Sequence, residues 1–328
     1  MRKETIMKEV IISKNESNQR LDRFLKKYMP KASKGFIYKM LRKKRIKLNG
    51  KKAKPSVVLK EGDVLSLYLA EDTINKFKEE IKIENNRVDI DIVYEDENII
   101  LINKPKGLLS HSDRVDSKND VVNMLISYLY SKGEYNPNEE KTFAPSICNR
   151  LDRNTSGIII GAKNFTALQL INKAIREKKI KKYYKCIVKG KIEKDFNIKG
   201  YMLKDAKKNK ANIFQNYVNG AKMIETGIKV LKSNDKYSLL EINLITGRTH
   251  QIRAHLSYLG HPIIGDIKYG DITTNRFFKE EYNLDSQFLH SYKIEFNGLD
   301  EYLSYLNGKS FTAKLDELYK KIIKELFG

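Results

Sequence analysis

Residues 147–164, ICNRLDRNTSGIIIGAKN, join two unlike halves: an aspartate between arginines with Thr-Ser-Gly behind it, then a run of isoleucines. The first half has the small and polar residues of a turn. The second, SGIIIGAK, is a short β-branched run of the kind that forms a buried strand. Asp152 is therefore expected on a turn at the start of a core strand, between Arg150 and Arg153. An arginine within about 4–6 Å lowers an aspartate pKa by roughly 1–3 units. An ionised, oriented carboxylate can then serve as a nucleophile in covalent catalysis. Taken alone, the same pattern is more often a structural ion pair.

Similar short strands are expected on both sides: DIDIVYE (89–95), NIILINK (98–104), YYKCIVKGKI (183–192) and YSLLEINLI (237–245). Helical patterns fall between some of them. DVVNMLISYLY (120–130) is one, and NFTALQLINKAIREKKIKK (164–182) is another, with Asn164 as N-cap and Leu168, Ile171 and Ile175 on one face. FTAKLDELYKKIIKELF (311–327) reads as a closing amphipathic helix. Many strands with few helices predict an α+β domain over residues 89–328, a large mixed, mostly antiparallel sheet flanked by helices.

The 328 residues carry a net charge of +22, unevenly spread. Between Arg20 and Lys60 stand 16 lysines and arginines against one acid, Asp22, whereas residues 61–328 hold 43 basic and 37 acidic residues. A concentrated basic segment of this kind tracks a phosphate backbone more often than it merely solvates a surface. Within it, QRLDRFLKKYM (19–29) and SKGFIYKMLRKKR (33–45) read as short helices. Ser33 is a candidate N-cap, and Phe36, Ile37, Met40 and Leu41 form an apolar stripe that leaves Lys34, Arg42, Lys43 and Arg45 exposed. Asn49-Gly50 marks a tight turn between short strands, and VVLKEGDVLSLYL (57–69) supplies two more. Residues 1–70 form this module, and the polar stretch 71–88 reads as a linker.

No apolar run approaches the roughly 18 residues of a membrane span. MRKETIMKEVII has neither a signal-peptide core nor a cleavage site, so a cytoplasmic protein is expected. Cys148 and Cys186 fit no metal-spacing or disulfide pattern. The spacing of His250, His255 and His261 is not that of a zinc helix, and no metal is expected. Asp22 is expected at a helix start, and Gly260, Gly265 and Gly270 in turns.

NRLDRNTSG resembles the H-R-L-D-x-x-T-S-G signature of the RluA-type pseudouridine synthases. INKPKGLLSH (102–111), KKYYKCIVKG (181–190) and TGRTHQIRAHLSYLGHPIIGDIKYG (246–270) resemble three further motifs of that family, in its order. RLDRFL, SKGFIYKMLRKKRIKLNG and LKEGDVL, within residues 19–69, resemble the αL-type RNA-binding module named after ribosomal protein S4. Together they are most similar to the RluC/RluD branch. The resemblance implies isomerisation of specific uridines in structured RNA, most of all 23S (large-subunit) ribosomal RNA or its precursor, by a monomer that needs no cofactor. Transfer RNA as substrate, or a non-catalytic RNA-binding assembly factor, are the alternatives.

It also implies roles. Asp152 matches the nucleophile, Tyr184 the active-site tyrosine proposed as general base (with Tyr183 adjacent), and Arg248 the basic residue that pairs with the aspartate. Arg150 matches the arginine that enters the helix where a base has flipped out. Arg153, Thr155, His250 and Arg253 join it in substrate binding. Arg20, Lys34, Arg42, Lys43, Lys44, Arg45 and Lys47 are the expected RNA-binding set of the small module. Asn149 stands where the family commonly has His; it keeps a hydrogen-bonding side chain but cannot titrate near neutrality, and a structural role is expected of it.

Overall fold

A computed structural model of the chain describes residues 7–78, 89–112, 120–138, 140, 142–205 and 210–328. The chain divides into two compact units. The first holds most of the basic segment. Strands β1 (Met7–Ile11), β2 (Ile46–Leu48) and β3 (Val64–Tyr68) form an antiparallel sheet in the order β1-β3-β2. Helices α1 (Leu21–Tyr28) and α2 (Lys34–Arg42) pack with it through Leu21, Phe24, Leu25, Ile37 and Leu41, all buried. Ser33 caps α2 as expected, its Oγ accepting from Phe36 N at 3.1 Å. Asn49 and Gly50 both take positive φ, the geometry of a two-residue hairpin turn, closed by paired backbone bonds between Leu48 and Lys51 of 2.9 Å each.

Residues 71–78 are not a linker. Glu71–Phe77 form helix α3, whose Ile74 is buried in the same core and whose Phe77 rests on Phe36 with ring centroids 4.7 Å apart. Residues 1–6 of the expected module and 79–88 of the expected linker lie outside the described residues. Residues 125–146 and 163–166 belong to this first unit, where Gln19 Nε2 donates to Thr142 Oγ1 at 3.1 Å.

The second unit is built on one large sheet, 11-stranded among the described residues. Its strands are β4 (Ile92–Glu95), β5 (Ile99–Lys104), β6 (Ser146–Ile147), β7 (Ser156–Ala162), β8 (Ile180–Lys189), β9 (Phe196–Asp205), β10 (Lys210–Phe214), β11 (Lys222–Ser233), β12 (Tyr237–Leu244), β13 (Leu289–Phe296) and β14 (Ser310–Thr312). The main path runs β10-β9-β11-β12-β8-β13-β7-β5-β4, with β14 beside β13 and β6 beside β7. Every pairing along that path is antiparallel except β13 with β7, which is parallel and only two residues long: His290 opposite Ser156 and Ser291 opposite Gly157. The mixed, mostly antiparallel sheet is the expected one.

Helices α4 (Val121–Ser131), α5 (Phe165–Arg176), α6 (Gln251–Tyr258), α7 (Ile272–Tyr282) and α8 (Glu317–Phe327) complete the chain. Strand β7 is buried along its whole length because sheet neighbours flank it on both sides and its faces are covered. Ile158 and Ile160 meet Ile171 and Ala174 of α5 in one core cluster. Each fully buried isoleucine contributes about 1.5–3 kcal/mol. Helix α8 is shorter than expected: Ser310–Thr312 form β14, and Asp316 caps the helix by accepting from Leu318 N. Tyr319 anchors it, stacked on Phe288 at 3.9 Å and donating to Gln287 O.

The Thr-Ser-Gly step has a specific cause. Gly157 has φ +109°, and a Cβ there would lie 2.2 Å from Ser291 O, so the parallel join closes only on a glycine. Gly157→Ala is expected to destabilise the protein by about 3 kcal/mol or more. Urea denaturation measures this, and an unshifted midpoint would show that the join carries no such constraint.

Candidate active site

Asp152 lies on the turn before β7, where Thr155 N donates back to Asp152 O at 3.0 Å. The loop after β5 grips that turn. Ser110 Oγ donates to Leu151 O at 2.7 Å and accepts from Leu151 N at 3.0 Å. Gly107 N donates to Arg153 O, and Arg153 Nε returns to Gly107 O at 2.9 Å. Lys104, fully buried, sits beneath with its Nζ donating to Pro105 O, Leu108 O and Arg153 O at 2.8, 2.8 and 2.9 Å. Burial pushes this ammonium down to about 7, with the charge of Asp152 opposing the shift. Three carbonyl acceptors match the three N–H donors of the charged form, so this geometry needs the ammonium. The two motifs 102–111 and 149–157 are thus one structure, a turn and its clamp.

Asp152 opens into a cavity of about 660 Å³. Tyr184, Arg248, Arg150, Thr155, His250 and Arg253 line it as well, so most of the expected set converges. Arg153 is the exception: it is exposed, outside the cavity lining, and its guanidinium braces the Gly107 loop. The pairing expected of Arg248 is made by Arg253. Its Nη1 donates to Asp152 Oδ2 at 2.8 Å, while Nε and Nη2 hold Asp266 at 2.7 and 2.8 Å. Arg248 is exposed at the cavity edge, and its backbone N–H donates to Gln251 Oε1.

The cause is local. His250 takes a left-handed φ of 60°, which ends the exposed turn and starts α6 at Gln251, and the run from Gln251 to Leu256, Arg253 among it, is buried. Burial opposes ionisation of Asp266, but the bidentate arginine and two backbone donors, Lys268 and Tyr269, hold its carboxyl below the usual range. Asp266 lies inside the quoted 246–270 motif, yet nothing in its spacing sets it apart. His250 donates to or accepts from Tyr269 Oη at 3.2 Å, and its Nε2 lies 3.9 Å from Asp152 Oδ2. Burial lowers its pKa, which keeps it neutral near pH 7.

Strand alternation separates the two tyrosines. Tyr184 is buried beside the cavity; Tyr183 points to the other face, donates to Glu295 Oε2 at 3.0 Å and lies under Lys293 Nζ. Burial, reinforced by the charge of Asp152, pushes the Tyr184 phenol up to about 12, so it carries its proton at neutral pH. Asn149 Oδ1 accepts from Ile160 N at 2.8 Å, clipping its loop to β7.

A model of the RNA pseudouridylate synthases matches residues 98–258, and one of the S4 domain matches residues 19–65. A Buchnera aphidicola protein named ribosomal large subunit pseudouridine synthase C is 32% identical over 323 residues, 96% of each chain. The chain belongs to the RNA pseudouridylate synthase family. It is also 36% identical to ribosomal large subunit pseudouridine synthase D of Borreliella burgdorferi, over 72% of this chain and 70% of that one. Human RNA pseudouridylate synthase domain containing 4 shares the fold, with a TM-score of 0.55 at 22% identity over 72% of this chain and 92% of its own.

In the S4 domain, Arg20, Lys34, Arg42, Lys43, Lys44 and Arg45 are exposed, as an RNA-facing set requires. Arg20 is engaged by Asp22, at 2.7 Å, and Asp22 also accepts from Tyr38 Oη. Lys47 is half-buried, its Nζ 4.9 Å from the Tyr68 ring centre. No described helix is long and apolar enough to cross a membrane.

Proposed function

We propose that this isomerase converts specific uridines of large-subunit ribosomal RNA to pseudouridine, as a cytoplasmic monomer, with Asp152 as the nucleophile. The observation that carries the reading is the Asp152–Arg253–Asp266 chain of ion pairs at a cavity lined by Tyr184. The names of the two bacterial relatives support the substrate class.

In this reaction the glycosidic bond from N1 breaks, the uracil turns, and C5 bonds to the ribose. C5 loses a proton and N1 gains one, so the balance requires no redox partner and no added water. The target base is extruded from its stack at a cost of a few kcal/mol. Arg150, exposed at the cavity edge, is the side chain proposed to fill the vacated position. Asp152 attacks the ribose or the base, or assists a glycal; each route consumes its negative charge. Tyr184 enters as a phenol, contributing a ring face and a hydroxyl, and a base role requires its proton to leave first.

Position-resolved pseudouridine mapping of RNA from a deletion strain tests this. Loss of large-subunit sites restored by wild type but not by Asp152→Asn is expected. Loss confined to transfer RNA would overturn the substrate, and no loss would favour an assembly factor.

The S4 domain is proposed to dock the RNA electrostatically. Replacing Arg42, Lys43, Lys44 and Arg45 together with Gln should weaken binding of large-subunit RNA. The slope of log K against log salt should flatten by roughly 0.7–0.9 for each phosphate that is no longer neutralised. An unchanged slope would remove this surface from the interface.

A further inference from the structure

Lys182 stands two residues before Tyr184 on β8, on the same face, and lines the same cavity. A Cβ on Gly247 would lie 3.6 Å from Lys182 Nζ, so the ammonium rests against the Thr246-Gly247-Arg248 turn. Burial lowers its pKa. Among the described residues no carboxylate pairs with it, and Asp152 is the only carboxylate lining the cavity. Asp152 Oδ2 is already bound by Arg253.

A half-buried ammonium without a counter-charge is costly, and such a cost persists where a ligand supplies the missing anion. Two residues along a strand span about 6.6 Å, comparable with the reach from a ribose to its own phosphate. With the reacting sugar at Asp152 and Tyr184, the anion that reaches Lys182 is a backbone phosphate.

We propose that Lys182 binds the phosphodiester adjoining the target uridine, completing the charge balance of the cavity only when RNA is seated. This rests on the cavity being the uridine site. Lys182 is then a positioning residue: it sets how the nucleotide enters, while Asp152 carries the chemistry.

The test uses the full chain and transcribed large-subunit ribosomal RNA carrying tritium at uridine C5, whose release reports the reaction. Lys182→Met is expected to raise KM about tenfold and to flatten its salt dependence by the equivalent of about one phosphate. The single-turnover rate at saturation should stay within about threefold. Lys182→Arg should restore the salt slope, and Lys182→Gln serves if the methionine variant does not fold. A normal KM with a reduced saturating rate would overturn the proposal in favour of a charge that serves the detached base. Normal values of both would make Lys182 a bystander. Asp152→Asn run in parallel separates the two readings: if it stays active, the cavity is not the uridine site. If it is dead while Lys182→Met is unaltered, only the phosphate pairing fails.

Discussion

Asp152→Asn should abolish tritium release from uridine-labelled ribosomal RNA, lowering the single-turnover rate by about 10⁴-fold or more, while RNA affinity stays within a few-fold. Asparagine is nearly isosteric and still accepts from Arg253 through its amide oxygen, so the turn is expected to persist. The loss falls on chemistry because the amide is neither a nucleophile nor a proton acceptor. Melting temperature and affinity measured beside the rate separate this from unfolding. A variant within tenfold of wild type would remove Asp152 from the reaction.

Arg253→Ala should be damaging in two ways. It leaves Asp266, which is fully buried, without its bidentate partner, and removes the group that holds Asp152. Breaking a buried pair by deleting one member costs about 3–5 kcal/mol. The saturating rate should also fall by about 10³-fold, because a misplaced nucleophile loses its attack geometry. Arg248→Ala is the internal comparison. Its side chain is exposed at the cavity edge, so its effect should appear mainly in KM, with little loss of stability. The reverse pattern would return the pairing role to Arg248.

The sequence displayed the Asp152 turn because its determinants are local: small and polar residues make the turn, isoleucines make the strand. Helices α1 and α2 were equally legible from periodicity, and so was α5 as far as Arg176; residues 180–182, expected as its end, instead open β8. Helix α3 was not, since its seven residues bury only Ile74 fully, too little for a stripe. Strands β9 and β10 lie toward one edge of the sheet and bury few residues, so little apolar alternation marks them. The sequence does not separate Arg248 from Arg253 as the partner of Asp152, because the two share one motif and a single left-handed residue, His250, starts the helix that buries Arg253. Lys104 and Asp266 lie inside the matching motifs, but their roles show only once the fold brings Arg153 O to one and Arg253 to the other.

The shared arginine has a consequence for how charge is conserved during turnover. At rest two carboxylates flank one guanidinium, a triad of net −1. On the proposed mechanism, whether Asp152 forms an ester or captures a proton, its charge disappears midway through the cycle. Without Asp266 that moment would strand a lone cation in a nearly dry interior. With it, the arginine keeps a bidentate carboxylate partner while the sugar and base exchange their bond. Asp266 acts as a standing counterweight, in surplus in the resting enzyme and needed in full only at the intermediate.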